Sequence, residues 1–221
     1  SPQPPKSNRR QATLRAASLL VKDGETAAVP LLLKDLSATD DAAALLATAK
    51  AYEQTSDPTR ALASYGRLYF FAPASDEAAE GATAVTRLQS STSAATVEEA
   101  ITRANRLYAA KRFNDALAAY SDAFTRFPAS ATNENQLRRA IAAYSARKTA
   151  DAVSAVNAIP SSAGETRAEA LSYLAQTYAR AKQWEQARAT AEELRRSFPK
   201  SVFTPRTFVA VAQVAKDAKN T

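Results

Sequence analysis

The chain has 221 residues, of which 46% are hydrophobic and 23% are charged, and its formal net charge is +7. It contains no histidine, cysteine or methionine. These absences exclude Ser-His-Asp and Cys-His catalytic groups, zinc sites with thiolate or imidazole ligands, the common haem ligands and disulfide bonds. The four glycines are too far apart for a dinucleotide fingerprint or a phosphate-binding loop. Nucleotide-dependent chemistry is therefore disfavoured, and no cofactor or metal ion is expected.

The abundance of alanine predicts an all-α fold. Alanine makes up about a quarter of the residues, while glycine is scarce. Alanine loses no side-chain entropy in a helix and lets two helix axes approach closely. No run of about 18 apolar residues occurs, so no transmembrane segment is expected. Residues 1–8 are rich in proline and polar side chains and are expected to form a disordered leader.

The N-terminal stretch Arg9–Leu36 predicts two helices separated by Gly24. Pro30 falls inside the second helix and predicts a kink or a late start, because proline cannot donate a helical hydrogen bond. We interpret residues 9–38 as a degenerate repeat.

Three later segments end with the same Pro-x-Ser motif after an apolar helix end. Proline cannot continue a helix, and a serine two residues later can cap the next helix by accepting a free N–H. The motif is therefore expected to stop one helix and start another. The pairs are Pro73 with Ser75, Pro128 with Ser130, and Pro199 with Ser201.

Small and large apolar residues recur with identical spacing before each of these prolines. The small residues are expected where two antiparallel helices approach closely, and the large ones beside them. The three sets are Ala61, Tyr65 and Leu68; Ala116, Tyr120 and Ala123; and Ala187, Ala191 and Leu194. Earlier sets with matching spacing are Leu45, Ala49 and Tyr52; Ala100, Ala104 and Leu107; and Leu171, Ala175 and Tyr178.

This pattern resembles the tetratricopeptide repeat (TPR), a helix-turn-helix unit of 34 residues. The resemblance implies a right-handed α-α superhelix, a TPR-like solenoid of about twelve helices that forms a single domain over residues 9–221. The clear repeats are 42–75, 97–130 and 168–201, a degenerate repeat is 133–160, and an unpaired helix is expected at about Asp76–Gln89.

Three cap signals support these boundaries. Asp57 and Thr204 each precede a proline at a helix start, and Thr96 is expected to form a capping box with Glu99. The last predicted helix, Pro205–Lys219, is apolar around more than a narrow stripe. Because terminal repeats of a solenoid normally present a polar outer face, we expect the chain to continue beyond this helix or to dock there on another protein.

Stacked helix pairs usually act by binding in the groove that their first helices line. The candidate groove residues lie off the packing stripe of each first helix, and they are Lys50, Glu53, Asn105, Tyr108, Tyr173, Gln176 and Arg180. For Tyr108 and Tyr173 the alternative is packing between repeats. For Lys50 and Glu53 it is an ordinary i,i+3 charge pair.

Charged pairs along the chain have explanations other than a ligand. Basic pairs could attract nucleic acid or an anionic polymer, but they are scattered over turns and helix ends and no nucleic-acid-binding motif accompanies them. Nucleic acid is therefore disfavoured as a partner. Acidic pairs at helix starts are expected from the helix dipole alone. The sequence thus predicts no catalytic residue and no enzyme.

Residues 44–53, 61–75 and 168–178 resemble bacterial envelope repeat proteins, in particular the superhelical N-terminal region of soluble lytic murein transglycosylases. In that family a helical solenoid precedes a lysozyme-like domain that cleaves the glycan strands of peptidoglycan. The catalytic stretch of the family has a Glu-Ser pair followed by a Gly-Leu-Met-Gln-like segment. This chain has no Glu-Ser dipeptide and no methionine. No catalytic residue is therefore carried over.

The resemblance implies a non-catalytic scaffold in the periplasm or cell envelope that binds a protein or peptide partner, or peptidoglycan. One alternative is a stand-alone envelope scaffold, similar to outer-membrane assembly lipoproteins and cell-division coordinators. Another is a cytoplasmic protein-interaction module.

Overall fold

The computed structural model describes residues 6–89 and 92–219. Over these two ranges the chain forms thirteen α-helices and no β-strand, so the predicted all-α class is confirmed. Most successive helices are joined by short turns and pack as antiparallel pairs, which is the TPR-like architecture that the repeats predict. The right-handed superhelical sense stays a prediction.

The chain divides into two compact units. The first unit ends at Arg106 and the second begins at Leu107. This boundary falls inside helix α7 (Val97–Ala109), within the second predicted repeat. The single domain expected over residues 9–221 stays a prediction.

The first unit contains six complete helices and most of α7. They are α1 (Lys6–Lys22), α2 (Val29–Leu32), α3 (Lys34–Ala38), α4 (Ala42–Gln54), α5 (Pro58–Phe71) and α6 (Ala78–Gln89). The start of α1 differs from the expectation, because residues 6–8 of the expected leader are helical. The rest of that leader, residues 1–5, lies outside the described residues.

The turn after α1 confirms the late start that Pro30 predicts. Gly24 has a φ of +82° in this turn, and Pro30 lies in the first turn of α2, where a missing N–H costs nothing. Leu33, with φ −91° and ψ 3°, then interrupts the second expected helix and divides it into α2 and α3. This division accounts for the helix beyond the expected twelve.

The pair α4 and α5 forms the centre of the first unit. On one side, Ala17, Val29 and Leu33 of the N-terminal helices pack against α4. On the other side, Ala84 and Val85 of α6 pack against α4 and α5. Helix α6 therefore stands at the position expected for the extra helix between the first two repeats, and it buries its apolar face on the preceding pair.

The second unit contains the end of α7 and six further helices. They are α8 (Phe113–Arg126), α9 (Asn133–Ser145), α10 (Thr149–Asn157), α11 (Glu165–Arg180), α12 (Trp184–Ser197) and α13 (Phe203–Lys219). Its main core joins α9, α10, α11 and α12 around Ile159, Leu171 and Leu194, each at most 1% exposed. Helix α11 contacts α9, α12 and α13 and so lies at the middle of the unit.

The repeated apolar spacing is confirmed as the packing pattern of both units. All nine residues of the sets before the three prolines are at most 2% exposed. In the earlier sets, Tyr52 and Tyr178 are half-buried and the other seven residues are buried. The small members leave room for close helix contact, and the large members fill the space beside them.

The predicted caps at Asp57 and Thr96 are confirmed. The Asp57 carboxylate accepts the N–H of Arg60 at 3.0 Å. Thr96 Oγ1 accepts the N–H of Glu99 at 3.2 Å, while Glu99 Oε2 accepts the N–H of Thr96 at 3.2 Å. These two contacts form the reciprocal capping box.

The capping role predicted for the Pro-x-Ser serines is confirmed at one position and wrong at two. Ser201 Oγ accepts the N–H of Phe203 at 3.2 Å. Ser75 Oγ is buried and has no hydrogen-bond partner among the residues that the structure describes, and Ser130 Oγ donates back to the Ala123 carbonyl. A 3₁₀ turn follows Phe127, so the cap of α9 moves two residues on, to Thr132.

The cap predicted at Thr204 is also wrong. Helix α13 begins at Phe203, which places Thr204 inside its first turn. The Thr204 hydroxyl donates to the Phe198 carbonyl at 2.8 Å, and it therefore satisfies the end of α12 instead of the start of α13.

Most turns between paired helices contain a non-glycine residue with a left-handed backbone. Ser56, Lys111, Arg147 and Lys182 have φ between +57° and +60° and follow α4, α7, α9 and α11. This conformation costs roughly 1–2 kcal/mol for a residue with a Cβ atom. At Arg147 it ends α9 two residues earlier than the sequence predicts.

The contact between α5 and α6 depends on the absence of a side chain at Gly81. A Cβ atom there would lie 2.9 Å from Cδ2 of the fully buried Leu68, whereas a Cβ at Gly66 would meet nothing within 4 Å. We expect Gly66→Ala to raise the free energy of unfolding by about 0.5–1 kcal/mol, and Gly81→Ala to lower it by about 1–2 kcal/mol. Urea denaturation followed by circular dichroism measures both. Equal stabilisation at both positions would contradict the close contact.

The left-handed backbone of these turns predicts that glycine would stabilise the protein there. Lys111 is exposed, and its φ is 59°. We expect Lys111→Gly to raise the free energy of unfolding by about 0.5–1 kcal/mol because glycine adopts this backbone without steric cost. Arg188→Gly, at an exposed position inside α12, is the control and should lower it by about 1 kcal/mol. The same denaturation experiment applies, and destabilisation by Lys111→Gly would refute the strain.

Candidate functional site

Four side chains of α11 lie on one face of the helix. Glu169, Tyr173, Gln176 and Arg180 are separated by four, three and four residues, which is the spacing of one helical stripe. Glu169, Tyr173 and Gln176 are half-buried, and Arg180 is exposed. Three of the four are predicted groove residues, and the structure adds Glu169.

Tyr144 of α9 joins three of these residues into a cluster. Its hydroxyl donates to Gln176 Oε1 at 3.2 Å, and its ring meets the Tyr173 ring edge-on with centroids 5.2 Å apart. The guanidinium carbon of Arg180 lies 3.9 Å from the Tyr144 ring centroid. A cation over an aromatic face is attracted by the ring quadrupole. We call Tyr144, Tyr173, Gln176 and Arg180 the α9–α11 cluster.

Tyr108, at the end of α7, lies in the same electrostatic surroundings as the α11 face. Its half-buried ring packs edge-on against Phe113, with centroids 6.0 Å apart. Burial raises the pKa of Tyr108, the positive charge of Arg138 opposes the rise, and the charge of Glu169 adds to it. The pKa of Tyr173 is also raised, first by burial and next by Glu169. Tyr108 and Tyr173 each pack against another ring, and each also keeps part of its side chain exposed to solvent.

Glu169 is the acidic end of this face. Within the described part of the chain its carboxylate makes no hydrogen bond or ion pair. Burial raises its pKa above the ordinary value of 4.5. An unpaired, half-buried carboxylate is unfavourable for folding, because part of its hydration is lost without replacement.

Two of the predicted groove residues of the first unit, Lys50 and Glu53, have partners on α6. Lys50 Nζ lies 2.7 Å from a carboxylate oxygen of Glu80. Glu53 pairs with Arg87 and accepts the Tyr65 hydroxyl at 3.0 Å. The contact with Arg87 lowers the pKa of Glu53, whereas burial, followed by Glu53, raises the pKa of Tyr65 to about 12. These pairs hold α4 to α6, and a groove role for Lys50 and Glu53 stays a prediction.

The sequence predicted Asn105 as a groove residue, but it did not predict Tyr144 or Glu169. Asn105 is half-buried on α7 in the first unit, and its groove role stays a prediction. Tyr144 belongs to the degenerate repeat, whose register the motifs did not establish. Glu169 could have been found from the sequence, because it lies one turn before Tyr173 on the same face.

The net charge of the protein resides in the second half of the sequence. Residues 1–106 contain 12 Lys and Arg against 12 Asp and Glu, whereas residues 107–221 contain 17 against 10. The second unit therefore carries the whole formal charge of +7. The α9–α11 cluster lies in this basic unit.

No group of three His, Cys, Asp or Glu side chains placed to hold a metal ion occurs in the described ranges. Within residues 6–89 and 92–219, no helix combines the length and the apolar character needed to cross a bilayer.

Comparisons with known proteins bear on the repeats. A family model described as a tetratricopeptide repeat, TPR_6, matches residues 169–201. Among solved structures, the TPR domain of P58(IPK) aligns with a TM-score of 0.43 and 14% sequence identity, covering 98% of this chain and 68% of that chain. A search of curated proteins finds no match.

The family match overlaps the third predicted repeat. Its limits, 169–201, fall within one residue of the predicted repeat 168–201. They span α12 and all but the first turn of α11, and so include Glu169, Tyr173, Gln176 and Arg180. Neither of the reported similarities is to a lytic transglycosylase, and that part of the expected resemblance stays a prediction.

The raised pKa of Glu169 predicts a pH-dependent effect of Glu169→Gln. Below the ordinary pKa of 4.5, both folded and unfolded chains carry a protonated Glu169, so its ionisation costs nothing. As the pH rises through the interval up to the folded pKa, the unfolded chain ionises first and the folded state loses stability relative to the variant. Above the folded pKa the difference is constant. Glu169→Gln should therefore stabilise the protein at neutral pH and progressively less on acidification.

Denaturant titrations at several pH values measure this difference. Glu185→Gln, at an exposed position of α12, is the control for replacing a carboxylate with an amide on the protein surface. A gap between wild type and Glu169→Gln that is independent of pH would contradict the buried carboxylate.

Proposed function

We propose that this chain is a non-catalytic helical-repeat scaffold that binds an extended partner polypeptide along the α11 face. The observation that supports the proposal most directly is the combination of groups on that face. Tyr173 and Gln176 are half-buried beside Tyr144, with Glu169 at one end and Arg180 at the other. Aromatic and amide side chains held in place by neighbours lose little entropy when a ligand binds.

The opposite charges at the two ends favour a polypeptide over a uniform polyanion. Glu169 and Arg180 are eleven residues apart, which corresponds to about 16 Å along a helix. A uniformly negative polymer would be repelled at Glu169 and attracted at Arg180. A polypeptide can present a cation and an anion at these two positions.

Base stacking is disfavoured by the arrangement of the rings. Arg180 covers one face of Tyr144, and Tyr173 meets Tyr144 edge-on. Single-stranded nucleic acids bind on exposed aromatic faces next to a basic groove. In the α9–α11 cluster the Tyr144 ring is already in contact with Arg180 and Tyr173, so it is not free to stack on a base. This favours a peptide over a single-stranded nucleic acid as the ligand.

The finer proposal is that the scaffold is the superhelical region of a lytic transglycosylase-like protein of the bacterial periplasm. It is supported by the resemblance of residues 44–53, 61–75 and 168–178 to that family. A scaffold of this kind would position a partner protein or the peptidoglycan wall. The stand-alone envelope scaffold is the alternative, and both use the same face.

A selection from a random-peptide display library tests the polypeptide ligand. Enriched peptides are measured by fluorescence anisotropy against wild type, Tyr173→Ala and Gln176→Ala. We expect about ten-fold weaker binding to each variant, because both contribute contacts at the centre of the face. Gln186→Ala, an exposed position on α12, is the matched control and should bind like wild type.

Circular dichroism of each variant confirms that the helices are intact. Enriched peptides that bind Gln176→Ala and wild type equally would overturn the proposal, as would a selection without enrichment. Purified peptidoglycan is the second probe. Binding to it that Gln176→Ala weakens, without any peptide binding, would assign the face to the wall polymer.

A further inference from the structure

An open cavity of about 470 Å³ lies next to the α9–α11 cluster in the second unit. Its walls come from the ends of α9 and α11, the start of α10 and the side of α13. Arg147 and Arg180 line it together with Tyr144, Thr149 and Val214. No Asp or Glu of the described ranges lines it.

Both arginines face the cavity without an acidic partner. Within the described part of the chain, neither guanidinium forms an ion pair. Arg147 is exposed and Arg180 contacts the Tyr144 ring. Their positions after α9 and at the end of α11 satisfy the helix dipole, but a dipole does not require two cations to line one cavity.

We propose that this cavity binds the oxyanion group of an acidic side chain in the partner polypeptide, either a carboxylate or a phosphate ester. Two guanidinium groups offer planar, charge-assisted donors that suit both oxyanions. The Thr149 hydroxyl adds a neutral donor at the wall. The Tyr144 ring and Val214 give the cavity an apolar side, where the carbon stem of the acidic residue would pack.

The inference deepens the proposed function, since the source of the oxyanion is the polypeptide that binds along α11. It also sets the orientation of that polypeptide. The acidic residue enters beside Arg180, and the cationic residue of the same segment lies about 16 Å away, beside Glu169.

The test uses Arg147→Asn, because asparagine tolerates the left-handed backbone that Arg147 adopts at φ 57° and removes the charge. Lys111→Asn is the matched control. Lys111 has a φ of 59°, is exposed in the equivalent turn after α7, and does not line the cavity. A change in stability that both variants share is an effect of asparagine in the left-handed turn. A change in affinity that only Arg147→Asn shows is an effect of the charge lost from the cavity.

Calorimetric titration is done with inorganic phosphate and with three versions of one peptide selected against wild type, carrying Glu, Gln or phosphoserine at its acidic position. We expect the Gln peptide to bind wild type about ten-fold more weakly than the Glu peptide. Arg147→Asn should remove most of that difference, and Lys111→Asn should keep it. A Glu peptide preferred over phosphoserine assigns the site to carboxylates, and the reverse preference assigns it to phosphate esters.

The outcomes separate this inference from the proposed function. If selected peptides bind but Arg147→Asn and the Gln peptide change nothing, the cavity assignment is overturned and the peptide-binding face stands. If phosphate binds wild type and not Arg147→Asn while no peptide is selected, the anion site stands and its polypeptide source is overturned.

Discussion

Close contact between helices through alanine is the constraint on which the rest of this structure depends. Ala61, Ala116 and Ala187 are fully buried at equivalent positions of three second helices. A larger side chain at such a position would separate the helix axes, because protein interiors have no spare volume. Each pair is therefore held by close packing between its two helices, and further helices pack onto it, as α9 and α13 do on α11. The first helix of each pair therefore carries a stripe of polar side chains that takes no part in this packing.

That stripe is where the two units differ. In the first unit, Lys50 and Glu53 are engaged by Glu80 and Arg87 of α6. In the second unit, Glu169 and Arg180 on the equivalent face of α11 form no ion pair with any residue of the described ranges. A retained, unpaired carboxylate reduces folding stability, and such costs concentrate at binding surfaces. The contrast explains why the candidate site lies on α11 although both units use the same packing rule.

The sequence predicted the packing better than it predicted the polar details. Spacing of Ala and Tyr identified the buried positions, since helix geometry relates spacing directly to a face. The caps predicted at Ser75 and Ser130 are wrong, because the partner of a serine hydroxyl depends on the turn that follows the proline. The local sequence pattern does not reveal that turn. Tyr144 was missed for a different reason. Its partners are 29 to 36 residues away in the next repeat, and no local motif records that separation.

The confinement of the net charge to residues 107–221 has a kinetic consequence. A field that originates in one unit attracts an acidic partner before any contact forms, and so raises the rate of encounter more than the lifetime of the complex. At physiological ionic strength this attraction reaches about 8 Å from the surface. A partner would therefore associate faster in dilute buffer, while its dissociation, which depends on short-range contacts, would change little.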